Sequence, residues 1–480
     1  MGLAPAKLLA LLCASALLLF SDRGVVSCNS VNGKRSEDGQ PGYGIQGEFD
    51  LSLSADGLLA AALMTGLMLS APACSQLSRH FPALRLMGLG LSLWVLGAAG
   101  CALAPAFAAL LACRLLVGAA VGPFIALAAP LIDDQAPPQE KSLWLAALFL
   151  CIPVGFATGY IYGGLVGTAY GWRAAFGLEA TAMLPLAALM LLAPPVELRH
   201  GRPPAAGGGK SAAALLAADC RMLARTPVAM LTILALSVYN GALGCYAFYG
   251  PKAARDIFSL PAEKADLLFG GVTVLTGVLG TVSGGVALDA MGPSVRNALL
   301  LCIGGVSVGC VMIMAGFAAA KSIALFAPAF AIGELGMFLM AAPVNAVLLW
   351  SVPPGLRPFA LAAAEFSQHA LGDIPSPPAL GWLQGRLGDW RVSMCATTGL
   401  LAVSVVLFTA ALCRAKGAVS YREVAEVEGG QLAEEEEEEG SAGSCAGSGG
   451  GGEERVTGSG SGGSSPEQRV LRQPLLAEQA

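Results

Sequence analysis

Stretches of about twenty apolar residues recur along most of this chain, each long enough to cross roughly 30 Å of hydrocarbon as a helix. They fall at 6–28, 56–78, 84–106, 108–132, 142–168, 172–194, 227–250, 265–289, 297–318, 322–351, 357–384 and 392–414. Composition agrees: 55% of residues are hydrophobic and 13% charged, against about 25% charged in ordinary soluble domains. A soluble protein this apolar could not cover itself with polar surface. The predicted fold is an all-α membrane protein with twelve transmembrane helices in two six-helix halves, 1–195 and 227–415. A polar, Gly/Pro-rich linker, 196–226, joins them. Residues 416–480 are rich in Glu, Gly and Ser, with an unbroken acidic run from Glu434 to Glu439. That tail cannot bury a core and is predicted to be disordered.

The first segment poses a question. Leu8 to Phe20 could serve as the core of a cleaved leader, yet Asp22 and Arg23 follow it and apolar residues then resume. The only cation before the run, besides the amino terminus, is Lys7, which is sparse for a secretory signal. Counted as a helix, the segment completes a set of twelve and places an acid and a base within the membrane. It is read as helix 1. Assigning the N-terminus and the even-numbered loops to one side gathers the larger share of Lys and Arg there, including Lys7, Arg85, Arg199, Arg296 and Arg414. By that bias both termini are cytosolic.

The two blocks repeat each other's punctuation. "GWRAAF" opens the sixth segment and "DWRVS" the twelfth, with Trp172 and Trp390 standing 218 positions apart. "SQLSRHFPALR", ending at Arg85, parallels "VALDAMGPSVR", ending at Arg296, 211 positions later. Parallel repeats of six helices about an axis along the membrane normal are the arrangement of the major facilitator superfamily. In the stretch Gly284–Arg296, glycines permit close helix approach and Asp289 can brace a helix terminus or pair with arginine. Asp289, Arg296, Arg79 and Arg85 therefore form a predicted gating loop set. The first half has Ser78 where the second has its acid, which weakens that brace.

Ionisable side chains at membrane depth are costly and mark function by default. Arg114, within "LLACRLLVGAAVGPF", is predicted to face a water-filled cavity shared with Asp22 and Arg23. Glu334 lies in the tenth segment, followed by Asn345 in "APVN". Glu365, His369 and Asp373 recur at intervals of four in the eleventh, on one helix face, and predict a lining or proton-handling role. Tyr239, Asn240, Tyr246 and Tyr249 would give the seventh segment an amphipathic wall, although Tyr249, near its end, also reads as an interfacial aromatic. Most of the 13 cysteines lie in apolar runs, where they act as small hydrophobes, and no CxxC pair occurs. "GVSVG" at 305–309 has no preceding strand, and "PPAAGGGKS" at 203–211 has Pro204 where a phosphate loop needs glycine. Neither supports catalysis. The reading includes no enzyme activity, cofactor, metal site or nucleic-acid partner.

Several blocks are too specific for generic facilitator sequence: "DRG" with "SVNG", "GIQGEF", "SLSADG", "APLIDDQAP", "CIPVGFATGYIYGG", "APVN" and "HALGDIPSPPALGWLQ". Together they resemble the Spinster family, particularly its plant and algal members, over about residues 8–415. The resemblance implies a monomeric transporter of a lysophospholipid or a sphingolipid metabolite, working by alternating access around a cavity lined mainly by helices 1, 4, 7 and 10. It also implies a coupling site made of a helix 1 aspartate with a glutamate and an arginine of helix 4. Asp22 and Arg114 match the first and last, but Val121 occupies the glutamate's place. Asp22 beside two arginines is then expected to stay ionised, leaving uniport or coupling to protons through Asp22 alone. A facilitator for a small water-soluble organic anion or sugar is the alternative, and a transport-dead sensor or scaffold a third. A plasma-membrane and an endolysosomal or vacuolar location are both compatible with the sequence.

Overall fold

The structure, a computed structural model, describes residues 5–36, 41–77, 81–137, 140–194, 212–353 and 356–415. The chain divides into two compact units, Met1–Glu423 and Val424–Ala480, and the second lies wholly outside the described residues. So do the tail expectation, the first part of the linker, Ser78 and Arg79.

The helices are α1 (Pro5–Ser27), α2 (Leu53–Leu77), α3 (Ala83–Leu103), α4 (Phe107–Gln135), α5 (Lys141–Tyr170) and α6 (Trp172–Leu192). After a linker helix, Ala212–Ala224, come α7 (Pro227–Phe258), α8 (Ala262–Met291) and α9 (Val295–Ala319). Next, α10 runs as Ile323–Leu339 and Ala341–Trp350. The last two are α11, in the pieces Arg357–Ser367, Gln368–Asp373 and Ser376–Leu387, and α12 (Trp390–Ala415). Among the described residues, 11 helices are long and apolar enough to cross a membrane. The exception to the predicted twelve is α11, and its chemistry explains why. Pro375, Pro377 and Pro378 remove backbone donors. The chain passes them by a π-helical turn, with the Ile374 amide donating to the His369 carbonyl at 3.0 Å. Glu365, His369 and Asp373 crowd the same stretch. Irregular, polar backbone at membrane depth is tolerated where protein or a cavity surrounds it. A second departure is the linker helix, which lies in a stretch predicted as polar loop.

Because successive helices reverse, their ends gather at two faces. The N-terminal face carries the starts of α1, α3, α5, α7, α9 and α11. The opposite face carries the starts of α2, α4, α6, α8, α10 and α12. Small residues set the closest crossings. A Cβ at Gly24 of α1 would lie 2.2 Å from the Phe156 carbonyl of α5, and one at Gly118 of α4 would lie 1.9 Å from the Leu63 carbonyl of α2. Backbone cannot yield by that much. Thus α1 is seated in the bundle as an integral helix, as the twelve-helix reading requires. Gly118→Val is expected to cost about 3 kcal/mol or more and to abolish the monodisperse peak in size-exclusion chromatography. Gly177→Ala, where the nearest atom to a new Cβ is 3.9 Å away, is the matched control and should elute as wild type.

Candidate functional site

Between the two halves lies a cavity of about 440 Å³, lined by α1, α2, α4, α5, α7 and α11. Leu63 to Leu67 lie at the middle of α2, and Phe124 to Ala129 and Leu148 to Ile152 belong to the N-terminal-face portions of α4 and α5. The cavity therefore extends from mid-membrane towards the N-terminal face. Helix 10, expected to line it, contributes no lining residue; α2, α5 and the broken α11 take that place. The physical reason is the π turn, which pushes Gln368, His369 and Asp373 inward beside Glu365. The lining is divided. Phe20, Phe124, Phe149, Phe156 and Phe248 supply apolar walls, whereas Arg23, Arg114, Asn240, Glu365, Gln368, His369 and Asp373 supply polar groups.

The predicted partnership of Asp22 and Arg114 is present, and its geometry is bidentate. Arg114 Nη1 and Nη2 donate to the two Asp22 oxygens at 2.6 and 2.8 Å. Both side chains are buried, Asp22 at 0% and Arg114 at 1% exposure. Planar fork-to-fork pairing is what makes arginine suited to a dry carboxylate partner. The pair ties α1 to α4 across 92 positions. Arg114 is also seated on the Phe176 ring of α6, its guanidinium carbon 5.8 Å from the ring centre. Arg23 turns the other way, lines the cavity and stacks on Phe20 at 4.9 Å.

Sequence reasoning missed one member of this cluster. Glu179 of α6 is buried at 2% exposure, in the electrostatic neighbourhood of Asp22 and Arg114. It sits one turn beyond Phe176, on the face that meets Arg114. A second acid thus stands beside Asp22 and Arg114. The signal is legible in the sequence, because Glu179 is an acid inside the apolar segment 172–194.

Across the cavity, Glu365, His369 and Asp373 do form one group. His369 Nδ1 and Asp373 Oδ2 are 2.8 Å apart, and His369 Nε2 lies 3.8 Å from Glu365. Asn240 joins them by donating to Gln368 Oε1 and, at 3.1 Å, to the Leu236 carbonyl. The other predicted site residues are placed elsewhere. Glu334 accepts from Thr273 and Thr276 of α8, each at 3.0 Å, and is absent from the lining. Tyr239 donates to the Met337 carbonyl at 3.1 Å and Tyr246 to Thr398 at 2.8 Å, both buried within the C-terminal half. Tyr249 is fully buried and donates to the Leu53 carbonyl, so it is no interfacial aromatic. Asn345 is exposed and donates to the Ala341 carbonyl at 2.9 Å. In the predicted gating loop Arg85, Asp289 and Arg296 are exposed and form no ion pair among the described residues. The α8–α9 turn is ordered instead by Asn297, whose side chain donates to the Met291 and Gly292 carbonyls at 2.7 and 2.8 Å.

The opposite face is bolted by Lys252, Arg255 and Asp266, which no motif announced, and by Asn32, Gln46 and Asp56 of the blocks "SVNG", "GIQGEF" and "SLSADG". Lys252 of α7 donates to Gln46 at 2.7 Å, Asn32 at 2.9 Å and Asp56 of α2 at 3.4 Å. Asp266 of α8 accepts from the Asn29 backbone and side chain, each at 2.9 Å. Arg255 reaches Tyr43 at 3.0 Å. Every one of these contacts joins the N-terminal half to the C-terminal half. Nearby, in the exposed loop, the Arg35 guanidinium holds the Asp50 carboxyl below its ordinary value by a direct hydrogen bond.

Residues 41–377 match the Major Facilitator Superfamily. The chain is 40% identical over 422 residues to the Arabidopsis thaliana protein named probable sphingolipid transporter spinster homolog 2, the match covering 85% of each chain. It is 29% identical to the human protein spinster homolog 1, covering 85% of this chain and 79% of that one. In fold it is similar to the crystal structure of a bacterial homolog of the human lysosomal transporter Spinster, in an inward-facing, unoccupied conformation. That likeness has a TM-score of 0.69 at 15% identity, over 85% of this chain and 97% of the other.

Proposed function

This chain belongs to the spinster homologues of the major facilitator superfamily, a membrane transporter and not an enzyme, and on that premise we propose that it moves a single-chain lipid with a charged headgroup. A lysophospholipid or a sphingolipid metabolite has this chemistry. The observation that carries the reading is the divided lining of the cavity. One polar wall has Arg23 and Arg114, the other has Glu365, His369 and Asp373, and aromatic side chains fill the walls between them. A headgroup needs hydrogen-bonding and charged partners once it leaves water, and an acyl or sphingoid chain needs apolar surface. The name of the Arabidopsis relative supports the sphingolipid class. Alternation would carry the load between a cavity reaching the N-terminal face, as here, and one opened by release of the Lys252 and Asp266 contacts. With the orientation expected from the Lys/Arg bias, the N-terminal face is cytosolic, and the transporter works as a monomer.

The test is flux of a labelled lysolipid, a sphingoid phosphate, a sugar and a small organic anion into proteoliposomes holding the full chain. Lipid flux is expected, with Arg23→Leu reducing it about tenfold or more, equivalent to roughly 1.4 kcal/mol of lost headgroup interaction. Flux of the sugar or the anion without lipid flux would replace this reading with a small-solute facilitator. No flux of any of them would favour a sensor.

A further inference from the structure

Two unsatisfied groups sit in the Asp22–Arg114 cluster, and they are complementary. Neither carboxylate oxygen of Glu179 has a partner at hydrogen-bond geometry, although both are sealed from solvent and the Ser21 hydroxyl of α1 lies beside them. The Nε of Arg114 is likewise buried without an acceptor, because Asp22 engages only the two terminal nitrogens. The titratable groups around Glu179 are Asp22 of α1, Cys28 just beyond it, Arg114 of α4, Cys101 of α3 beside that pair, and Tyr162 of α5. Tyr162 is committed to the Ala175 carbonyl at 2.8 Å and donates nothing to the acid. Of these neighbours, only Asp22 and Arg114 carry charge when thiols and phenol are neutral. One guanidinium thus serves two carboxyl groups. With both ionised, the cluster would hold a net negative charge in a dry site, one carboxylate left with no charged partner and only the Ser21 hydroxyl beside it. With one proton it is neutral.

We propose that Glu179 is the proton-binding residue of this transporter and that Arg114 has two alternative carboxylate partners, Asp22 when Glu179 is protonated and Glu179 when it is not. Arg114 itself lines the cavity, so a proton leaving Glu179 passes to cavity water at the edge of the guanidinium. The negative charge it leaves behind draws Arg114 through the free Nε. The hydrogen bonds to Asp22 weaken as those to Glu179 form, and α1 is released from α4 as α4 is drawn to α6. Two buried acids competing for one base make a switch whose position depends on a single proton. This reading restores a paired-acid site despite Val121, in place of uniport or coupling through Asp22 alone. It rests on the transporter reading for its coupling to flux but not for the proton site itself.

The decisive measurement is infrared difference spectroscopy on the purified full chain across a pH titration, which needs no substrate. Wild type is expected to show the carbonyl stretch of a buried protonated carboxylic acid, and Glu179→Gln to lack that band. Asp22→Asn, which keeps Glu179, is also expected to lose it, because Arg114 then takes Glu179 as its ionised partner. A merely structural glutamate would not respond to Asp22. In proteoliposomes, an imposed proton gradient should stimulate wild-type lysolipid flux about tenfold and Glu179→Gln less than twofold, with downhill exchange retained. A band unaffected by Glu179→Gln, or one surviving Asp22→Asn, overturns the proposal. Gradient stimulation surviving in Glu179→Gln also overturns it. Absence of lysolipid flux in wild type with the band behaving as stated would instead overturn the lipid assignment and leave the proton site standing.

Discussion

Asp22→Asn should reduce transport by roughly 100-fold, or about 2.7 kcal/mol, while leaving a folded but destabilised protein. Asp22 and Arg114 are buried at 0% and 1% exposure and share two hydrogen bonds of 2.6 and 2.8 Å. Removing one partner of such a pair strands the other charge, at a cost of about 3–5 kcal/mol. Here the loss is expected to fall at or below the lower end, because Glu179 can accept Arg114 in place of Asp22. Adding Glu179→Gln to Asp22→Asn should then bring the full loss. Asp22→Leu with Arg114→Met is the informative control. Replacing both charges by apolar groups of similar volume is commonly neutral or stabilising, so the melting temperature should recover while flux stays abolished. Thermal unfolding of the purified variants and flux in proteoliposomes measure the two effects separately. Recovery of flux in the apolar double variant would show that the pair serves only packing.

Lys252→Met is expected to shift the conformational equilibrium towards opening of the face opposite the N-terminus by about 2–3 kcal/mol, or roughly 30–150-fold in population. Lys252 is 3% exposed and serves three acceptors from the other half, Asn32, Gln46 and Asp56. Without it, Asp56, which is fully buried, faces only amide groups in the closed state. In a state where water enters this face, Asp56 can be hydrated, so the substitution penalises closure and not opening. Spin-label distances between the loop before α2 and the α7–α8 turn should lengthen in the variant. Asp56→Asn combined with Lys252→Met should restore much of the closed population, because it removes the stranded charge. An unchanged distance distribution in the single variant would assign closure to helix packing alone, such as the Gly57–Pro377 crossing.

These two variants probe opposite ends of one cycle. The Asp22–Arg114–Glu179 cluster lies beside the cavity within the N-terminal half, whereas the Lys252 network spans the two halves at the far face. A transporter needs both a site that senses its load or ion and a contact between halves that breaks when the site changes state. The distance between them is bridged by α1, which carries Asp22 and ends at Ser27, and by the short turn of helix that follows, Asn29–Asn32, where Asp266 and Lys252 attach. That continuity gives the proton site a mechanical route to the opposite face.

The sequence by itself determined the class, the helices and the family. Apolar run length is a local property, and hydrocarbon imposes one solution on such runs, so eleven spans were legible without any tertiary information. The resemblance located Asp22 and Arg114, and their depth in apolar segments marked them as functional before any contact was known. Tertiary structure decided which charges meet. The Asp22–Arg114 pairing joins residues 92 positions apart, and Lys252 finds acceptors 196 to 220 positions away; no periodicity encodes such distances. It also decided which ionisable groups face the cavity. Glu334 and Glu365 are both acids within apolar segments, yet two threonines of α8 hold one while the other lines the cavity. The difference is azimuthal, set by how each helix packs, and α11 further alters its own azimuth through a π turn that its prolines favour. Glu179 marks the same boundary: its presence was readable, but its role depends on three helices bringing two acids to one arginine.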